Sequence, residues 1–154
     1  MKHLHGSAGA LVTASLQASF AMLEAVHLYP TWDGELIRQV EVMEWTDDDR
    51  PARAWAQLHV AQGPFAKTLE LVVAVHAHAP DLVRLTRVPN EPSDPERLDL
   101  TWRLFAGSGT RIELEFEAAV AALPRLAPVG GAGELIARKL LGAAARELGR
   151  KEDP

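Results

Sequence analysis

The chain has 154 residues, 47% of them hydrophobic and 24% charged, which suits one domain burying roughly 70% of its unfolded surface. Its 16 basic and 21 acidic residues leave a net charge of −5, which argues against a general nucleic-acid binder. No cysteine is present, so disulfides, thiolate metal sites and a cysteine nucleophile are excluded, and no apolar run approaches the ~20 residues of a membrane span. A cytoplasmic protein is the expectation.

Lys2 precedes a mildly apolar stretch from Ala8 to Phe20, but Thr13, Ser15 and Gln17 interrupt it at alternate positions. That pattern fits a strand better than a signal peptide. Residues 1–7 and 151–154 are expected to be flexible termini around a single domain spanning 8–150. The alternation of Ala10, Val12, Ala14 and Leu16 with Leu11, Thr13 and Ser15 predicts a first strand over Ala10–Leu16. Ser19 then offers an N-cap to a short helix carrying Phe20, Met22, Leu23 and Val26, which Pro30 ends. Tyr29-Pro30-Thr31-Trp32-Asp33 reads as a turn or a second small helix with two aromatic rings.

Strand candidates follow at regular intervals: Leu36–Trp45, Ala52–Ala61, Phe65–His78, Leu82–Val88 and Arg97–Phe105. The turns between them are Asp47-Asp48-Asp49, Gly63-Pro64, Pro80-Asp81 and a loop holding Pro89, Pro92 and Pro95. Gly107-Ser108-Gly109 turns into a seventh strand with the clearest pattern in the chain. Ile112, Leu114, Phe116, Ala118 and Val120 point one way, and Arg111, Glu113, Glu115 and Glu117 the other. Leu98, Leu100, Trp102 and Leu104 are expected to share its buried face. Pro124, Pro128 and Gly130-Gly131 lead to a terminal helix, Gly133–Leu148. On that helix Ile136, Ala137, Leu140, Leu141, Ala144 and Leu148 face one side, with Arg138, Lys139 and Arg146 opposite. The order predicts an α+β fold in which an antiparallel sheet holds a long helix.

The chain resembles the START-like (SRPBCC) superfamily, in particular its polyketide cyclase/dehydrase and coenzyme-Q-binding (COQ10-type) branch. The resemblance rests on Ala18-Ser19 at the first helix, on Tyr29-Pro30-Thr31-Trp32-Asp33, on Gly109-Thr110-Arg111 and on the amphipathic terminal helix, and covers about residues 10–150. It implies a helix-grip (Bet v 1-like) fold: a seven-stranded curved antiparallel sheet wrapped on the C-terminal helix, with short helices after the first strand. It also implies a deep hydrophobic cavity between sheet and helix. Members bind lipids, quinones or polyketides there, some catalyse cyclisation or aromatisation, and a few act through protein contacts. Two departures flank the expected cavity: Val83-Arg84-Leu85 stand where relatives often carry a tryptophan, and the loop Pro89–Glu96 is longer than usual.

Binding of an apolar or amphipathic small molecule is therefore the expected function, with a polyketide cyclase or aromatase as the alternative. The positive face of the terminal helix suggests a third reading, protein interaction or peripheral membrane contact. Candidate ligand-binding residues are Tyr29, Trp32, Leu71, Val73, Arg84, Leu100, Trp102, Ile136, Leu140 and Ala144. Small side chains at Ala137 and Ala144 are expected to leave room for a ligand. Arg84 is the polar candidate, since a buried arginine would mark a ligand's anionic or carbonyl end. If Pro80-Asp81 is a two-residue hairpin turn, Ala77 pairs with Arg84 and Arg84 joins the face of Leu71, Val73 and Val75. The competing parity turns Val83 and Leu85 inward.

No catalytic constellation stands out. Ser108 lacks a nucleophile elbow. Gly130-Gly131-Ala132-Gly133 lacks the lysine of a phosphate loop and reads as a flexible hinge or the entrance to the terminal helix. Glu24 and His27 share the first helical region without a third partner. Of the six histidines, His76 and His78 share a strand face, as do His3 and His5, while His59 should pair near Thr68. A structural metal would want three or four converging ligands. No metal and no cofactor are expected; a homodimer is compatible with the pattern.

Overall fold

The structure, a computed structural model, describes residues 1–62, 64–121 and 131–150. Its strands are β1 (Lys2–Val12), β2 (Ile37–Trp45), β3 (Pro51–Gln62), β4 (Phe65–His78), β5 (Leu82–Arg87), β6 (Arg97–Gly107) and β7 (Gly109–Val120). The helices are α1 (Leu16–Glu24), a 3-10 turn (Val26–Leu28), α2 (Tyr29–Trp32) and α3 (Ala132–Leu148). All seven strands form one antiparallel sheet in the order β1-β7-β6-β5-β4-β3-β2, which leaves β1 and β2 at its edges.

The chain's beginning departs from expectation. Residues 2–7 are no loose tail: Lys2 to Val12 pair without interruption along β7, from Lys2↔Val120 to Val12↔Thr110. Leu4, Ala10 and Val12 face the core, while His3, His5, Ser7 and Gly9 face water. The strand ends at Val12, so Ser15, four residues before the expected Ser19, caps α1. The Ala18 amide donates to Ser15 Oγ at 3.1 Å, and Ser19 lies fully buried in the first turn. Residues 122–130 and 151–154, which include the expected proline-glycine approach to α3 and the C-terminal tail, lie outside the described residues.

Helix α3 packs on β1 rather than floating above the middle of the sheet. A Cβ on Gly6 would overlap the Gly133 carbonyl, and one on Gly133 would overlap the His5 carbonyl. Two glycines therefore let the first turn of α3 rest directly on β1, and Gly133, at the entrance to the helix, is a packing residue. At the other end the Thr13 amide donates to the Gly149 carbonyl at 2.7 Å and the Ala14 amide to the Leu148 carbonyl at 3.2 Å. From Gly133 to Gly149 a helix rises about 24 Å. From Gly6 to Thr13 an extended chain covers about 23 Å, so the two run side by side in one direction. Gly109, at φ +102, lets the β6–β7 turn meet the Val12 carbonyl, and Thr110 Oγ1 donates to the Ala14 carbonyl at 2.8 Å.

The inner face of the sheet carries the core. Trp102, Val83, Ile112, Leu23 and Val12 are fully buried, and Leu114 and Leu140 nearly so. The β4–β5 connection sets which residues join them. His78 pairs with Leu82, so the loop is Ala79-Pro80-Asp81, three residues instead of two. One extra loop residue flips strand parity. His76 thus opposes Arg84, Val75 opposes Leu85, and Val83 and Leu85 turn inward.

Candidate functional site

An apolar cavity of about 80 Å³ lies between the inner sheet face and α3. Each wall follows from the period-two alternation of its strand. β3 contributes Ala56, Leu58 and Val60, and β4 contributes Leu69, Leu71 and Val73. β5, β6 and β7 add Leu85, Leu98, Leu100, Phe116, Ala118 and Val120, and β1 adds Leu4. Ile136 and Leu140, four apart on α3, close one side, and Val26, Tyr29, Leu36, Ile37 and Val40 close another. Leu36, Val40, Leu58, Val60, Leu69, Leu71, Leu98 and Ile136 are half-buried, which marks the cavity's rim towards β2, β3 and the start of β4.

Six of the ten candidate residues meet at this cavity: Tyr29, Leu71, Val73, Leu100, Ile136 and Leu140. The other four stand elsewhere. Trp102 is fully buried beside it, its Nε1 donating to Tyr29 Oη at 3.1 Å. Trp32 packs its ring on Tyr29 with centroids 4.8 Å apart. Ala144 and Ala137 are fully buried and are not among the residues lining this cavity. Arg84 is on the outer face, exposed, with Nη2 donating to Asp99 Oδ1 at 2.9 Å. The three-residue β4–β5 loop puts it there.

The remaining polar candidates do not reach the cavity either. The Tyr29 hydroxyl donates to the Leu23 carbonyl and accepts from Trp102, and burial pushes the phenol well above its ordinary pKa. Tyr29 therefore stays neutral and shows the cavity only its ring. Glu24, buried, is ion-paired with Arg50 at 3.1 Å, and the His27 and Trp45 rings meet edge to face with centroids 5.3 Å apart. His76 and His78 face outward, and His59 pairs with Thr68 as the hairpin arithmetic requires. Among the described residues, His5, Glu115 and Glu117 bring their ligand atoms within 4.8 Å of one another, all exposed on the outer sheet face.

The walls from β2 and β3 were not expected from sequence. Their signal was present as alternation, Leu36 and Val40 in one strand and Ala56, Leu58 and Val60 in the next. Residue type alone does not separate a wall that faces a void from one that faces a neighbour.

Around the rim, the β5–β6 loop is held in place by its own charges. Arg87 Nη2 donates to Asp94 Oδ2 at 2.7 Å, and the Asn90 and Glu96 amides donate to the same carboxylate at 3.1 and 3.0 Å. These donors, Arg87 first, hold Asp94 down at a pKa of about 2. On the opposite side of the cavity Asp33 Oδ1 accepts from the Leu36 amide at 3.3 Å, tying α2 to β2, and burial raises its pKa. No helix among the described residues is long and apolar enough to cross a membrane.

No protein-family profile matches the chain, and no curated protein matches it in sequence. Solved structures do match. A START superfamily protein from Mycobacterium smegmatis superimposes with a TM-score of 0.72 at 14% identity, covering 96% of this chain and 97% of that one. The Zhui aromatase/cyclase from Streptomyces sp. R1128 gives a TM-score of 0.55 at 18% identity over 95% of this chain and 86% of that one. The di-domain aromatase/cyclase BexL gives 0.62 at 14% identity, covering 99% of this chain and 51% of its own. With its seven-stranded sheet and C-terminal helix, the chain has the helix-grip fold of the START and polyketide cyclase-like proteins.

Proposed function

We propose that this protein binds a narrow apolar or amphipathic small molecule in the cavity between its sheet and α3. The observation that carries the reading is the cavity's chemistry: every lining side chain is aliphatic or aromatic, and its single hydroxyl, on Tyr29, is already committed on both sides. Affinity would come from apolar area removed from water, at about 25 cal/mol per Å². Ligand pockets usually span roughly 300–1,000 Å³. The space here is smaller than that range.

A cyclase or aromatase, the activity named for two of the structural neighbours, is less well supported. Folding a polyketide chain and polarising its carbonyls takes at least two convergent polar groups. Among the described residues none faces the cavity, and Arg84, the one cation considered for that role, points to water. Native mass spectrometry, together with titration of a hydrophobic dye, tests binding. A stoichiometric site is expected, weakened about tenfold or more by Leu140→Trp, which fills the cavity from α3. Absence of any saturable site in the folded wild-type protein would refute the reading.

A further inference from the structure

The outer face of the sheet carries donors that the binding function does not use. β1 and β7 are neighbours there, and His5 stands directly across from Glu117, with Glu115 two positions along the same face and opposite Ser7. His5 Nε2 and Glu117 Oε1 are 3.9 Å apart, and one donor atom from each of His5, Glu115 and Glu117 lies within 4.8 Å of the other two. The sequence hides this group. His5 is far from both glutamates along the chain, and the three meet only because residues 2–7 pair along β7.

The neighbouring charges on this face are engaged with one another or stand aside. Arg84 is paired with Asp99, and Arg111 with Glu113. Arg103 borders a hollow shared with Glu115 and Glu117, and Arg97 one shared with His3, His5 and Glu117. Neither arginine forms an ion pair with these two carboxylates among the described residues. Carboxylates this close repel each other, and a cation held between them removes the repulsion. The imidazole beside them selects which cation. Nitrogen together with carboxylate oxygen suits zinc-like transition ions, whereas magnesium and calcium prefer oxygen alone.

We propose that His5, Glu115 and Glu117 form a site for a divalent transition ion of the zinc type, with water completing its coordination. Zinc bonds of about 2.0–2.2 Å put neighbouring donors of a tetrahedron roughly 3.3 Å apart. The three side chains must therefore draw together by about 0.5–1.5 Å, which exposed side chains do by rotation, and His5 and Glu117 are both more than half exposed. The ion clips edge strand β1 to β7 at the point where Gly133 of α3 lies against the His5 carbonyl. It closes the long loop between positions 5 and 117. Clips that close long loops remove the most freedom from the unfolded chain.

The test is isothermal titration of zinc chloride into the 154-residue chain, without an affinity tag and at neutral pH, with magnesium chloride as comparator. One zinc per chain is expected, and no saturable heat from magnesium. His5→Ala and Glu117→Gln should each weaken zinc about tenfold or more, since losing even an outer partner of a metal ligand costs roughly 10–100-fold. Both side chains are exposed, so the zinc-free variants should melt with wild type. His78→Ala, which removes an exposed imidazole from β4, should leave zinc affinity unchanged. Zinc should also slow amide exchange in residues 3–7 of wild type and not of His5→Ala. The site is refuted by the lack of a saturable zinc site in wild type, by zinc binding that survives both His5→Ala and Glu117→Gln, by equal weakening in His78→Ala, or by magnesium binding as tight as zinc. Unchanged exchange in zinc-saturated wild type would refute the clip.

Discussion

The two halves of the sheet's inner face have the same kind of residues and opposite packing. Across β5–β7, Trp102, Leu114 and Ile112 are sealed beneath α1, and beyond them α3 sits on β1 through paired glycines. Across β2–β4, Leu36, Leu58, Leu69 and Leu71 are half-buried around a void. Helix placement makes the difference. By leaning on β1 at Gly6, α3 reaches the cavity half through Ile136 and Leu140 and leaves the space between them and the sheet unfilled. The same aliphatic composition serves as core in one place and as binding wall in the other.

Substitutions that contrast the halves should show the widest spread. Trp102→Ala empties the sealed side and strips Tyr29 of a donor, so urea unfolding should register a loss of about 3–5 kcal/mol. Leu71→Ala, at the open side, already borders a void and should cost about 1 kcal/mol, because fewer contacts are lost. Equal losses would mean that the cavity collapses in solution. Gly133→Ala is next: a methyl group driven at the His5 carbonyl should lower stability by about 1–3 kcal/mol and lift α3 from β1, visible as faster amide exchange in residues 3–7. If exchange there is unchanged, the glycine contact does not hold the helix.

The rim loop should respond to acid before the sealed core does. Because Asp94 is held below the ordinary carboxylate value, its stabilising contribution is complete above about pH 4 and disappears as pH falls through about 2. Thermal melts of wild type and Asp94→Asn should therefore differ at pH 6 and converge near pH 2. A difference that persists at pH 2 would contradict the Arg87 contact. Smallest of all, Arg84→Ala on the outer face should shift stability by no more than ~0.5 kcal/mol, since its ion pair with Asp99 is largely exposed. Any loss of ligand affinity in this variant would contradict its outward placement.

The strands were legible wherever one face is wet and the other dry. β7 is the plainest case, with Glu113, Glu115 and Glu117 between Ile112, Leu114 and Phe116, and the helix α3 is equally plain. The start of β1 was not, because His3, His5, Ser7 and Gly9 face water and the inward positions include Gly6, whose missing side chain is a contact made with α3. Ser15 and Ser19 are equivalent as letters; only the Ala18 amide decides between them. Arg84 turned on a single loop residue, Ala79, which no periodicity within β4 or β5 encodes. The cavity was half legible: Leu71, Val73, Leu100, Ile136 and Leu140 follow from strand and helix faces. An empty space, by contrast, is set by where α3 leans, a relation between residues 127 positions apart at Gly6 and Gly133.

That glycine pair also bears on the order of folding. β1 is an edge strand whose only sheet neighbour among the described residues, β7, lies about a hundred residues downstream, and α3, which also covers it, is further still. Contacts of such long sequence separation form slowly, since the intervening chain must be closed first. The hairpins β2–β3, β3–β4, β4–β5 and β6–β7 can assemble as they leave the ribosome, whereas β1 must wait, unpaired, for almost the entire chain. The first strand of the sheet is thus among the last to be secured, and during that interval Leu4, Ala10 and Val12 are the apolar groups a chaperone would meet.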